Sequence, residues 1–179
     1  MFLLSTRLLN FLVAISALIL ILTGILYFQN RLGMAPCPLC IFQRIAFMGV
    51  ALFCLAAAIH NPGARGIRIY SSLAFVSASI GAGIAARHVY LQGRPSDMMP
   101  SCGPDLSYMM QNFPLQEVFN TVFRGSGDCA DLHWAFLGLT IPGWALVWFV
   151  GFMVVTGLLV WKPDAVSALQ NKWAGRKLP

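Results

Sequence analysis

A four-helix, all-α membrane protein is the fold class this sequence predicts. Three observations carry the prediction: a heavily apolar composition, apolar runs long enough to cross a bilayer, and basic residues gathered toward one side of those runs. Of the 179 residues, 58% are hydrophobic and 10% charged, and the mean hydropathy is +0.73. Polar residues are too few to cover a water-soluble domain. A hydrocarbon core about 30 Å thick requires roughly 18 or more apolar residues at about 1.5 Å per helical residue, and four segments meet or approach that length.

The first segment, about 8–28, carries no charge; it is too long for a cleavable signal and lacks an Ala-x-Ala site, so it reads as a retained helix. The second, about 41–60, carries Arg44 near its start, where a long side chain can snorkel to the headgroups. Asn61-Pro62-Gly63 ends it. The third, about 69–86, has Ser77, Gly81 and Ala85 at four-residue spacing beside Ala74, Ala78, Ala82 and Ala86, a surface that lets helices approach closely. The fourth, about 144–161, is bracketed by Trp144 and Trp161, which suit two interfacial belts roughly 26 Å apart. The whole chain reads as one integral membrane domain with connections at about 29–41 and 88–143 and a tail at 162–179. In the long connection, Leu115, Val118, Phe119, Val122 and Phe123 share one helical face. That segment reads as a short amphipathic helix, lying on the membrane or packing on the end of the bundle.

Basic residues set the orientation. With both termini on the cytoplasmic side, Arg7, Arg65, Arg68, Lys162, Lys172, Arg176 and Lys177 are inside, seven of the twelve Lys and Arg. Four of the five cysteines, Cys37, Cys40, Cys102 and Cys129, then face outward, where disulfides persist. Cys54 falls within the second helix and reads as a small buried apolar residue. The net charge of +6 needs no nucleic-acid partner, because a basic cytoplasmic tail accounts for it.

Cys37-Pro38-Leu39-Cys40 is a Cys-x-x-Cys pair at the start of the second helix. If that helix begins near Pro38 or Leu39, Pro38 suits its first position. Cys40 then sits in the first turn, where the positive end of the helix favours a thiolate. Arg44, one turn on, adds a guanidinium with the same effect, so Cys40 is expected to be the reactive sulfur and Cys37 its partner. Cys102 and Cys129 lie in the turn-prone contexts Pro100-Ser101-Cys102-Gly103-Pro104 and Gly125-Ser126-Gly127-Asp128-Cys129. This favours a mobile, exchanging disulfide over a structural staple. A four-cysteine metal site is disfavoured, since a spacing of 27 is no zinc knuckle and no histidine completes one. Two dithiol pairs on one face suggest an electron relay by thiol–disulfide exchange. With no heme, flavin or iron–sulfur motif in the sequence, a membrane quinone is the acceptor at hand; Arg44 would polarise its carbonyl and apolar side chains would pack its ring.

The run Cys37-Pro38-Leu39-Cys40-Ile41-Phe42-Gln43-Arg44, the paired cysteines of the long connection, Gly125-Ser126-Gly127-Asp128-Cys129 and Trp134-x-Phe136-Leu137-Gly138-Leu139 resemble the bacterial disulfide bond formation protein DsbB family over nearly the whole chain. The resemblance implies a protein-dithiol:quinone oxidoreductase of the bacterial inner membrane that reoxidises a periplasmic DsbA-type thiol oxidase, with ubiquinone or menaquinone as acceptor and no metal cofactor. It further implies that Cys102 is attacked by the partner thiolate, that Cys129 passes electrons on, and that Cys40 lies against the quinone. Arg44 matches the family's quinone-site arginine, and His88, read as just past the third helix, matches a histidine near the quinone. Phe42-Gln43 is a departure, standing where the family pattern admits a tyrosine and an acidic residue. A soluble oxidant of this type has a potential of about −120 mV, so its reoxidation needs a still more positive acceptor. Three other classes fit less well. A tetraspanin-like structural protein gives no reason for Cys37, Cys40 and Arg44. A vitamin K epoxide reductase-like enzyme carries its Cys-x-x-Cys late in the bundle. A metal transporter would need acidic residues within its helices.

Overall fold

The computed structural model describes residues 6–33, 37–60, 62–93, 111–114, 116 and 135–161. Within them, four helices are long and apolar enough to span a membrane. Helix α1, Thr6–Leu22, continues as a π-helical segment, Thr23–Arg31. Helices α2, Pro38–His60, and α3, Ala64–Gln92, follow; a two-residue-per-strand hairpin, β1 Ala135–Phe136 and β2 Leu139–Thr140, leads into α4, Ile141–Trp161. The chain is a multi-pass, four-helix membrane protein.

The core draws on all four helices. Val13, Ala14 and Ala17 of α1, Phe47, Val50 and Cys54 of α2, Ala74, Ala78 and Ala85 of α3, and Phe149 and Phe152 of α4 form one buried cluster. Lipid is no more polar than the core, so large apolar side chains gain nothing by turning inward, and close packing of small residues holds the helices together. Accordingly Leu52, Ile59, Ile80 and Leu158 face outward, while Gly49 lies against Ser77, whose Oγ would be 2.9 Å from an added Cβ. At Gly81 a Cβ would overlap the ring of Phe149. That ring stacks on Phe47 with centroids 3.9 Å apart and planes at 10°, so the missing side chain of Gly81 is what admits the aromatic pair.

Polar contacts set the helix ends. Near the start of α1, Arg7 Nε donates to Ala58 O at 2.9 Å, placing a cation among the last carbonyls of antiparallel α2. The helices extend beyond their apolar runs. The third, read from the sequence as 69–86, covers 29 residues, about 43 Å at helical rise, against a hydrocarbon core of about 30 Å. Its ends, with Arg65 and Arg68 at one and Arg87 at the other, reach headgroup level, where charge no longer ends a helix. His88 therefore belongs to α3, not to the connection after it. The connections read as 29–41 and 88–143 shorten likewise, because α2 starts at Pro38, α3 runs to Gln92 and α4 starts at Ile141.

The hairpin is an element the sequence reading left as loop. Ala135 pairs with Thr140 and Phe136 with Leu139 in antiparallel register. Leu137 and Gly138 turn the chain at φ of 53° and 78°, the doubly positive geometry of a tight hairpin whose twist matches its strands. Thr140 Oγ1 donates to Gln92 Oε1 at 2.7 Å, and Trp144 Nε1 donates to Phe136 O at 3.1 Å, tying the hairpin to the ends of α3 and α4. The expected amphipathic helix at 115–124 lies outside the described residues, apart from residue 116.

Candidate functional site: a dithiol at the start of α2

Cys37 caps α2. Its carbonyl accepts the Ile41 N–H at 3.2 Å, the first helical bond. Pro38 occupies the following position, where its missing N–H has no cost, and Cys40 falls in the first turn, as the sequence implies. The Cys40 backbone N–H points at Cys37 Sγ, 3.4 Å away. Sulfur thus takes the place of the side-chain oxygen that usually caps a helix, and the positive end of the helix is directed at it.

The two sulfurs are 3.0 Å apart, in the dithiol and not the disulfide form. Their surroundings differ. Cys37 is 8% exposed and packs in a small cluster with Leu39, Ile84 and Leu91, whereas Cys40 is partly exposed at the edge of that cluster.

His88 reaches the pair from α3. The buried face of α3 runs through Ser71, Ala74, Ala78, Gly81, Ala85 and His88 at helical spacing, so the residue follows the small-residue stripe inward and is only 3% exposed. Its Nε2 lies 3.8 Å from Cys37 Sγ and its Nδ1 lies 3.3 Å from Gln43 Nε2. An amide nitrogen can only donate, which leaves Nδ1 as acceptor and assigns the ring proton to Nε2, facing the sulfur. Two donors, the Cys40 N–H and the His88 ring, therefore converge on Cys37. The sequence pointed to thiolate stabilisation at Cys40; the structure adds direct donors at Cys37.

Arg44 turns toward α1. Its Nη1 donates to Gln29 Oε1 at 2.9 Å and its Nη2 donates to Gly24 O at 3.0 Å. Both acceptors belong to the π-helical segment, a wider turn often found at functional sites. An added Cβ at Gly24 would lie 3.6 Å from Arg44 Nε, so the guanidinium rests across the glycine. The fork of Arg44 thereby ties the end of α1 to the first turns of α2.

The structure thus brings Cys37, Cys40 and His88 into one cluster, with Arg44 a turn further along α2. Cys102 and Cys129 lie outside the described residues. Gln43, noted from the sequence only as a departure from the family pattern, is a positioning group, as are Gln29 and Gly24, which the motifs did not single out. Gln43 carried a signal, since an amide buried in an apolar helix must find a partner; the other two did not. Cys54, 1% exposed in the core of the bundle, is remote from this cluster in the packing.

Residues 6–159 match the family model described as Disulfide bond formation protein DsbB. The chain is 53% identical over 137 residues to a Disulfide bond formation protein B of Saccharophagus degradans, covering 76% of this chain and 81% of that protein. It is 51% identical over 140 residues to the protein of that name from Nitrosococcus oceani, covering 78% and 82%. With the one from Xanthomonas campestris pv. campestris it shares 56% identity over 127 residues, covering 70% and 74%. A dithiol at a helix start, inside a four-helix membrane bundle that matches this family almost from end to end, identifies the chain as a member of the DsbB disulfide bond formation family, a disulfide-generating oxidoreductase.

Proposed function

We propose that the chain is a protein-dithiol:quinone oxidoreductase that reoxidises a periplasmic DsbA-type thiol oxidase in the bacterial inner membrane. The observation that carries this reading is the asymmetric pair at the start of α2, with Cys37 buried against His88 and Cys40 partly exposed. In the orientation argued from the basic residues, both termini are cytoplasmic and the dithiol end of the bundle is periplasmic.

The relay balances as successive exchanges. The partner's two thiols become a disulfide while a Cys102–Cys129 disulfide is reduced; that dithiol is reoxidised as a Cys37–Cys40 disulfide opens. Each exchange passes through a mixed disulfide and moves two electrons. The Cys37–Cys40 disulfide then re-forms as two electrons and two protons pass to a membrane quinone, ubiquinone or menaquinone. The residues present fit such an acceptor: a partly exposed sulfur at the membrane surface, a guanidinium one turn away and apolar helix faces on either side. A bound quinone supplies a lipid-soluble two-electron, two-proton acceptor. Cys40 donates to it and Cys37 closes the disulfide. Arg44 orients the acceptor's oxygen by charge-assisted hydrogen bonding. His88 donates its Nε2–H toward the thiolate that forms at Cys37 Sγ, the atom it faces.

The test supplies the purified protein with a reduced DsbA-type partner and a quinone, and follows quinone absorbance. Wild type turns over. Cys102→Ser stops oxidation of the partner and Cys40→Ser stops quinone reduction; normal rates in either variant reject the relay.

A further inference from the structure

Cys37 Sγ, Cys40 Sγ and a ring nitrogen of His88 all lie within 4.8 Å of one another. We propose that the reduced pair and His88 form a binding site for a thiophilic d10 cation, Zn2+ or Cd2+, which holds the dithiol reduced and arrests disulfide formation. Here the ion acts as a reversible inhibitor of the site, distinct from a resident cofactor.

The geometry supports three protein ligands. Tetrahedral zinc takes Zn–S of about 2.3 Å and Zn–N of about 2.0–2.1 Å, which places sulfur and nitrogen about 3.6 Å apart and two sulfurs about 3.8 Å apart. Cys37 Sγ and His88 Nε2 are already 3.8 Å apart. The sulfurs, at 3.0 Å, must part by about 0.8 Å, within reach of a rotation at the partly exposed Cys40. The fourth position is left to water on the side where Cys40 meets the surface, the three-ligand arrangement of an open zinc site.

Gln43 supplies what a metal-bound histidine needs. A ligating imidazole almost always donates its second N–H to an oxygen, which fixes its tautomer. Gln43 lies against Nδ1, and a half-turn of its amide presents Oε1 in place of Nε2, moves the ring proton to Nδ1 and frees Nε2 for the ion. Binding is redox-neutral: each thiol loses its proton to solvent as its sulfur takes the metal, so about two protons leave per ion. A disulfide has no thiolate to offer, so the ion binds only the reduced pair.

The experiment titrates Cd2+ into the reduced full-length protein in detergent and reads the sulfur-to-cadmium charge-transfer band against a competing chelator. One ion per chain is expected, together with no binding once the pair is oxidised and unchanged affinity in Cys102→Ser/Cys129→Ser. Cys37→Ser should lose the band, and His88→Gln should bind about tenfold or more weakly. If His88→Gln does not fold, Gln43→Ala replaces it, with a loss of several-fold. Unchanged affinity in whichever of these two folds overturns the proposal, as does binding that survives Cys37→Ser. This arm requires no turnover, so it stands apart from the quinone reading. A second arm rests on that reading: Zn2+ should slow disulfide formation at least tenfold at a saturating level, with full recovery on chelation.

Discussion

Replacing Arg44 separates the geometry of a guanidinium from its charge. Its two hydrogen bonds, to Gln29 Oε1 at 2.9 Å and Gly24 O at 3.0 Å, join α2 to the π-helical end of α1. Hydrogen bonds to charged groups contribute about 1.5–3 kcal/mol each, and the partial burial of this pair points to the low end of that range. Arg44→Ala loses both and should destabilise the bundle by about 3 kcal/mol. Arg44→Lys keeps the charge, but one ammonium cannot span both acceptors, so it should lose about half as much. Gln29→Ala, which removes only the Nη1 acceptor, should match Arg44→Lys. The assay is reversible denaturant unfolding in mixed micelles, with quinone kcat and KM measured on the same samples. In Arg44→Ala the quinone KM should rise about tenfold, the equivalent of one lost hydrogen bond of about 1.4 kcal/mol. If Arg44→Lys were as unstable as Arg44→Ala, or if Gln29→Ala were silent, the two-acceptor account would be wrong.

Other substitutions probe the packing around the site. Gly81→Ala should force Phe149 off Phe47 and destabilise the fold by about 1–3 kcal/mol, read by thermal unfolding, because the added Cβ overlaps the ring. Leu137→Gly should stabilise the hairpin by about 1 kcal/mol in the same assay, since leucine is held at a φ of 53° that disfavours an L side chain and is 79% exposed, with little packing to lose. Cys54→Ala should leave the quinone reduction rate within about twofold of wild type, because this thiol sits in the helix core away from the Cys37–Cys40 pair.

Signals that are local in sequence were legible in advance. Four apolar runs announced four helices, and Pro38 between two cysteines announced the start of α2, so the position of Cys40 in its first turn could be read directly. His88 was recognised as a candidate but set outside the third helix, because hydropathy falls at Arg87-His88. The three-residue step from Ala85 to His88 continues the buried stripe, and that periodicity, rather than hydropathy, reports which way the imidazole points. Arg87 is accommodated at headgroup level, its guanidinium carbon 5.4 Å from the Tyr90 ring centroid. Contacts between distant positions left no such trace. Arg44 meets residues 15 and 20 positions earlier, and a π-helical turn carries no residue pattern that would have aligned them. The capping of α2 by a sulfur was hidden for a different reason: Cys37 is a poor cap by residue preference, and only the backbone geometry shows its role.

The central claim is that Cys37 and Cys40 are the last protein stop before the quinone. Reduced Cys102→Ser/Cys129→Ser protein, mixed anaerobically with one equivalent of quinone and quenched with a thiol-trapping reagent, tests it without the partner or the loop cysteines. The account predicts one Cys37–Cys40 disulfide formed for each quinone reduced, in a single turnover. Quinone reduction that leaves both thiols free for trapping, or no reduction until Cys102 and Cys129 are restored, would contradict it.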